Sequence, residues 1–176
     1  MLSPEQNELI ARVGPGTPMG AVMRRYWLPV LLSEEVEADG PPLRVRLLGE
    51  DLIAYRDSDG RVGLLGEHCP HRGASLFFGR NEASGLRCVY HGWKLDVSGR
   101  CMDMPNEPLD SSFRAKMRQL AYVCRERNGV VWAYLGPAQP PDLPAIEWNG
   151  VPATQRYVTK RVQECNWAQA VEGGID

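Results

Sequence analysis

Cys69-Pro70-His71-Arg72-Gly73 and Cys88-Val89-Tyr90-His91-Gly92-Trp93-Lys94 decide the reading of this 176-residue chain. Each segment presents one thiol and one imidazole from a tight loop: Cys-x-His in the first, Cys-x-x-His in the second. Sixteen residues lie between His71 and Cys88. Brought together, the loops offer two cysteines and two histidines. Zinc accepts that set as a tetrahedron, but zinc-finger spacing usually pairs Cys with Cys and His with His. Here each loop holds one of each. The division suits a two-iron cluster in which one iron takes both cysteines and the other both histidines.

In their spacing and flanks, the segments resemble the Rieske motif of non-haem iron aromatic-ring oxygenases. The resemblance implies a [2Fe–2S] cluster, with Cys69 and Cys88 on one iron and His71 and His91 on the other. Arg72, Tyr90 and Trp93 then line it. With two neutral imidazoles the oxidised cluster is formally neutral, where four thiolates leave it dianionic. It is therefore easier to reduce than a plant-type ferredoxin centre, and imidazole protons can couple to the electron. Respiratory Rieske proteins carry a disulfide and two hydroxyls near the cluster. The matching positions here are Ala74 with Tyr90, and Trp93 with Leu95, which supply neither. The expected potential lies toward the low end of the Rieske range, roughly −150 mV rather than +300 mV.

The surrounding sequence supports a mainly β fold: an antiparallel β sandwich with short helices before it and the start of an α+β catalytic domain after it. Ser3, Pro4 and Gln6 form a helix start with a capping box, and Gly14 ends that helix. Met19, Val22, Met23, Tyr26 and Trp27 keep helical spacing until Pro29. The period then becomes two. Leu43, Val45 and Leu47 alternate with Arg44 and Arg46, and strands are expected at 51–56, 61–65, 93–97, near Cys101, at 121–127 and at 130–135. Asp59-Gly60, Ser98-Gly99 and Asn128-Gly129 supply turns. Five prolines between residues 136 and 152 mark a linker or an extended surface crossing. Residues 155–163 alternate like a strand, and 165–172 read as a helix ending at Gly173-Gly174. The expected divisions are a helical segment at 1–35, the cluster domain at 36–136, the proline-rich linker at 137–153 and a truncated catalytic-domain start at 154–176. No internal repeat is expected.

Asn166-Trp167 and Glu172-Gly173-Gly174-Ile175-Asp176 are similar to the opening of the oxygenase catalytic domain, closest to the phthalate and phenoxybenzoate dioxygenase branch. By that resemblance Asp176 bridges the cluster of one subunit to the mononuclear iron of its neighbour. It also implies a homotrimer, an NAD(P)H-dependent reductase or ferredoxin as electron donor, and mononuclear Fe(II) held only by the full-length protein. The iron-binding histidines themselves are not in this sequence.

The remaining features read more plainly. Net charge is −2, so no global field attracts nucleic acid or an anionic membrane. The N-terminus lacks a signal peptide and no apolar run is long enough to span a bilayer, so a cytoplasmic protein is expected. His68 is expected to face solvent. Cys101, Cys124 and Cys165 read as small core residues, and Tyr26 and Trp27 as core aromatics. Arg72 and Arg87 flank the donor residues and either pair with carboxylates at a subunit contact or stay solvated. Arg24-Arg25 and Lys160-Arg161 are too short to suggest nucleic acid. Two alternatives stay open: a stand-alone Rieske ferredoxin and a zinc-stabilised structural domain.

Overall fold

The computed structural model describes residues 2–175 except 109 and 138. Helix α1 (Pro4–Ala11) carries the expected capping box, with Gln6 N donating to Ser3 Oγ at 3.3 Å and Ser3 N to Gln6 Oε1 at 2.9 Å. Helix α2 (Pro18–Met23), capped by Thr17, stops before the helical spacing runs out. Trp27 instead opens strand β1 (Trp27–Leu32), so Pro29 lies inside a strand rather than ending a helix. A run of Trp, Leu and Val fits either period, and pairing with a partner strand decides it. The proline is tolerated because β1 is an edge strand with a register shift between Pro29 and Leu31. Tyr26, just outside β1, is 65% exposed, not core.

The strands β2 (Leu43–Leu47), β3 (Glu50–Arg56) and β4 (Val62–Gly66) follow as antiparallel neighbours. Four short strands come next: β5 (Arg80–Glu82), β6 (Gly85–Arg87), β7 (Lys94–Leu95) and β8 (Cys101–Asp103). After a single-turn helix α3 (Phe113–Lys116) the chain returns through β9 (Ala121–Arg127) and β10 (Val130–Tyr134). The large sheet has the order β1-β10-β9-β4-β3-β2, and β5 to β8 form a second sheet in sequence order. The second sheet is thus an insertion between β4 and β9. Its first hairpin turns through Ala83 and Ser84, both at positive φ (44° and 63°), where Asn-Gly is the usual choice. That missing signal hid β5 and β6 in the sequence. Asn128-Gly129 makes the same kind of turn with the expected residues.

Four consecutive residues of β3, Leu52 to Tyr55, are buried, because this strand has a core on each face. Ile53 and Tyr55 join Leu65, Leu76, Leu86, Leu95 and the donor loops, while Leu52, Ala54 and Leu64 pack with Leu31, Val131 and Ala133. Edge strand β2 keeps Arg44 and Arg46 outward, which discourages edge-to-edge pairing.

The same turn motif occurs once in each sheet. Asp57-Ser58-Asp59-Gly60-Arg61 joins β3 to β4, and Asp96-Val97-Ser98-Gly99-Arg100 joins β7 to β8. In each, the aspartate Oδ1 accepts the backbone N–H groups two and four residues on, and Oδ2 accepts the arginine Nε (2.8 and 2.9 Å). Asp57 and Asp96 are buried, and Tyr55 lies between them, its hydroxyl donating to Leu95 O at 3.2 Å. Burial first, and then these two carboxylates, raise the Tyr55 pKa.

The proline-rich stretch is an extended crossing. Leu143 and Ile146 pack over Trp27, Trp132 and Tyr134, Trp27 Nε1 donates to Pro141 O at 2.9 Å, and Arg127 donates to the carbonyls of Leu143 and Pro144. Residues 156–163 form no strand; Tyr157 and Val162 are 91% and 83% exposed, with no partner strand among the described residues. Helix α4 (Trp167–Ile175) starts two residues later than expected and runs through Gly173 and Gly174. Its Trp167 Nε1 donates to Ile10 O, tying the end of the chain to α1.

Candidate metal centre

The first donor loop follows β4 of the large sheet and the second joins β6 to β7 of the small one, yet both close in the same way. In the first, Cys69 N donates to Ala74 O (2.8 Å) and Gly73 N to Cys69 O (2.9 Å). In the second, Cys88 N donates to Trp93 O (2.9 Å) and Gly92 N to Cys88 O (3.0 Å). Gly73 and Gly92 sit at φ 69° and 75°, the left-handed conformation that lets each loop turn back on its cysteine. Two unrelated stretches of sequence thus present their donors from one backbone shape.

The four candidate donors come together. Cys69 and Cys88 are each 3% exposed, beside one another in the core with Leu76, Leu86 and Trp93. Burial pushes the Cys69 thiol up to about 11; the His71 backbone N–H opposes this and the adjacent Cys88 adds to it. The His71 and His91 rings stand 4.4 Å apart at 66°. Burial, then His71 and Arg72, lower the His91 pKa. Trp93 stacks on His71 at 4.5 Å and 7°, and Tyr90 leans on His91 at 3.8 Å. Trp93 is 4% exposed, Tyr90 is 60% exposed and Arg72 faces solvent.

One atom tests the fit to a metal. His71 Nδ1 is buried and has no hydrogen-bond partner among the described residues. A buried polar atom left unpaired costs about 1–3 kcal/mol, and coordination removes that penalty by using the lone pair. Among the described residues, no three His, Cys, Asp or Glu side chains are placed to hold a single ion. The donors stand as a thiol pair and an imidazole pair, the division a two-iron cluster uses. The residues fit such a group.

Two side chains hold the loops: Arg87, which the sequence places beside a donor, and Gln119, which sequence reasoning missed. Arg87 donates to Gly92 O (2.6 Å), Asp103 Oδ2 (2.8 Å) and Glu82 Oε1 (2.5 Å), so its carboxylate partners lie within the chain. Gln119 Nε2 donates to Gly66 O (2.6 Å) and His68 O (2.8 Å), fixing the strand that enters the first loop. No spacing rule links residue 119 to residue 68. His68 is exposed, as expected, and its Nδ1 donates to Gly73 O at 3.1 Å. Cys101 is buried beside the donor cysteines and bonds to Asp103 O, Cys124 is half-buried, and Cys165 is exposed rather than core. Asp176 lies outside the described residues.

Residues 26–114 match the family described as Rieske [2Fe-2S] domain. Over its whole length the chain is 51% identical to the oxygenase subunit of phthalate 4,5-dioxygenase from Pseudomonas putida, covering 40% of that protein. It is 45% identical, again over its whole length, to the oxygenase subunit of 5,5'-dehydrodivanillate O-demethylase from Sphingobium sp., covering 42% of it. Among solved structures, the terminal oxygenase of carbazole 1,9a-dioxygenase from Novosphingobium sp. KA1 matches 96% of the chain and 43% of its own, with a TM-score of 0.74 at 30% identity. The chain therefore spans about 40% of the length of the curated relatives it matches.

Proposed function

Because the chain belongs to the Rieske [2Fe–2S] domain family, we propose that Cys69 and Cys88 bind one iron of its cluster and His71 and His91 the other. The observation that carries this is the pair of identically closed loops with the unpartnered His71 Nδ1 buried beside two buried thiols. When bound, the cluster supplies reversible one-electron storage.

The chain's own residues prepare the site. Leu76, Leu86 and Leu95 surround the two cysteines and exclude water from the thiolate side. Trp93 fixes the plane of His71, and Arg87 and Gln119 hold the two loops from outside. His91, with Arg72 and Tyr90, lies at the tip toward solvent, where a proton on the imidazole can exchange as the charge of the site changes.

The wider role is the electron-transfer portion of an aromatic-ring hydroxylating or O-demethylating oxygenase. An NAD(P)H-dependent reductase or a ferredoxin supplies electrons, and a mononuclear non-haem iron in the full-length protein receives them. Similarity that runs beyond residue 114 to the end of the chain supports this over a stand-alone Rieske ferredoxin. With His71 and His91 committed to the cluster, His68 is the one histidine left, so these 176 residues do not supply a two-histidine iron site. In this reading residues 36–136 are the cluster domain, 137–153 the linker and 154–176 the approach to the catalytic domain. The assembly is a homotrimer in which Asp176 bridges neighbouring subunits. Five free cysteines fit a reducing, cytoplasmic setting, and among the described residues no helix is long and apolar enough to cross a membrane.

Iron and sulfide analysis with EPR of the reduced protein tests the cluster. Two irons, two sulfides and a mixed His/Cys signal are expected, lost in Cys69→Ser and His91→Ala and kept in His68→Ala. A colourless protein with stoichiometric zinc overturns the reading.

A further inference from the structure

A row of aromatic rings leads from His71 to the surface. Trp93 lies flat on His71, and the ring of Phe113 meets Trp93 edge-on at 6.1 Å and 74°. Trp93 is 4% exposed and Phe113 is 43% exposed, so the row begins at a candidate iron ligand and ends at solvent. Phe113 opens α3, which leans on β8.

The rim of this opening is basic. Arg114, Lys116 and Arg118 are exposed, and among the described residues none has a carboxylate within ion-pair distance. Arg114 and Arg118 are held by backbone carbonyls instead, those of Met102, Ala115 and Met117. Arg100, bridged to Arg118 through the backbone, adds a third guanidinium, which bonds Asp96. Between residues 110 and 118 three cations face one carboxylate, Asp110, in a chain whose net charge is −2. Arginines held in place by main-chain oxygens, yet unpaired, keep their charge available to a partner.

We propose that this face, Phe113 rimmed by Arg114, Lys116 and Arg118, is where an acidic electron-donor protein of the plant-type [2Fe–2S] ferredoxin class docks. Phe113 and Trp93 lie on the route from that donor to His71. The proposal rests on the cluster assignment above. In the step itself one electron leaves the reduced donor and arrives on the oxidised cluster, with no bond made or broken. Plant-type ferredoxins lie well below Rieske centres in potential, so the transfer runs downhill. Opposed charge raises the encounter rate of such pairs by about 10- to 1000-fold, an advantage that salt removes.

The test uses the 176-residue chain with an acidic plant-type ferredoxin. Binding of the oxidised ferredoxin is measured by calorimetry, and reduction of the cluster by dithionite-reduced ferredoxin is followed by stopped flow. The variant Arg114→Glu/Lys116→Glu/Arg118→Glu is expected to bind at least ten-fold more weakly. At low salt it should be reduced at least ten-fold more slowly, with the salt dependence gone. Its EPR signal and its reduction by dithionite alone should be unchanged, as should all readings for Arg125→Glu on β9. Single Lys116→Glu, should the triple variant fail to fold, is expected to lower the low-salt rate about three-fold. Phe113→Leu should slow transfer without weakening binding. Wild-type binding and rates in the folded charge variants overturn the docking face, and an unchanged rate in Phe113→Leu overturns the route. A wild-type protein with no Rieske EPR signal overturns the cluster assignment itself, a separate result.

Discussion

Arg87 is the side chain whose loss should most disturb the second donor loop. Its guanidinium is 19% exposed and holds Gly92 O, Asp103 and Glu82 at once. A hydrogen bond from a charged donor is worth about 1.5–3 kcal/mol, and each ion pair, screened by its half-open carboxylate, about 1 kcal/mol or less. Arg87→Gln should therefore destabilise the fold by roughly 3 kcal/mol, which for a chain of this length lowers Tm by about 6–12 °C. Arg87→Lys keeps the charge but cannot span three acceptors, and should lose about half as much. The hydrogen bond from Arg87 holds the Glu82 carboxyl below its usual range. A depressed folded-state pKa gives stability that is complete above the unfolded value, about 4.3, and fades as pH falls through the folded value. The gap between wild type and Arg87→Gln should thus be widest near pH 7 and narrow below about pH 4. Thermal unfolding from pH 7 to pH 3, alongside iron retained after mild heating, measures both effects. A variant that melts with the wild type and keeps its iron equally well would refute the loop-holding role.

Ala83→Asn with Ser84→Gly places the usual type I′ pair at the strained β5–β6 turn and should add about 1 kcal/mol, or 2–4 °C in Tm; an unchanged or lower Tm contradicts the strain argument. Burial works against the charge of Asp96, but hydrogen bonds from Ser98 and Arg100 outweigh it and keep its pKa low. Its contribution is therefore present above about pH 3.9 and lost as pH falls further. Asp96→Asn should flatten the acid limb of a Tm–pH profile, and a limb as steep as wild type counts against this. The residues at 93 and 95 offer no hydroxyl to the cluster, so a redox titration should find a midpoint near −150 mV, and a strongly positive value defeats that reasoning.

Much of the site is legible in residue types and spacing alone. Cys-x-His and Cys-x-x-His name the donor set because thiolate and imidazole are the ligands that soft and borderline metals take. The alternation of Leu43 to Leu47, the Asn128-Gly129 turn and the Ser3 capping box are local features, and local rules read them correctly. The failures have a common cause. Trp27 to Leu32 fits two periods, and only the edge of β10 makes it a strand. Residues 155–163 alternate, but with no partner strand among the described residues they form none. The matching Asp-x-x-Gly-Arg turns were present in the sequence, yet their meaning comes from both aspartates being buried around Tyr55.

By itself, then, the sequence determined which atoms can bind metal, where most strands begin, and the kinship with Rieske oxygenase subunits. The tertiary structure alone decided that Arg87 and Gln119 hold the donor loops, that His71 Nδ1 is buried without a partner, and that Phe113 carries the ring row to the surface. These are contacts between residues 5 to 53 positions apart, set by how two sheets pack. Hydrogen-bond geometry and ring stacking act over a few ångströms of space, and linear spacing does not encode which distant residues come that close.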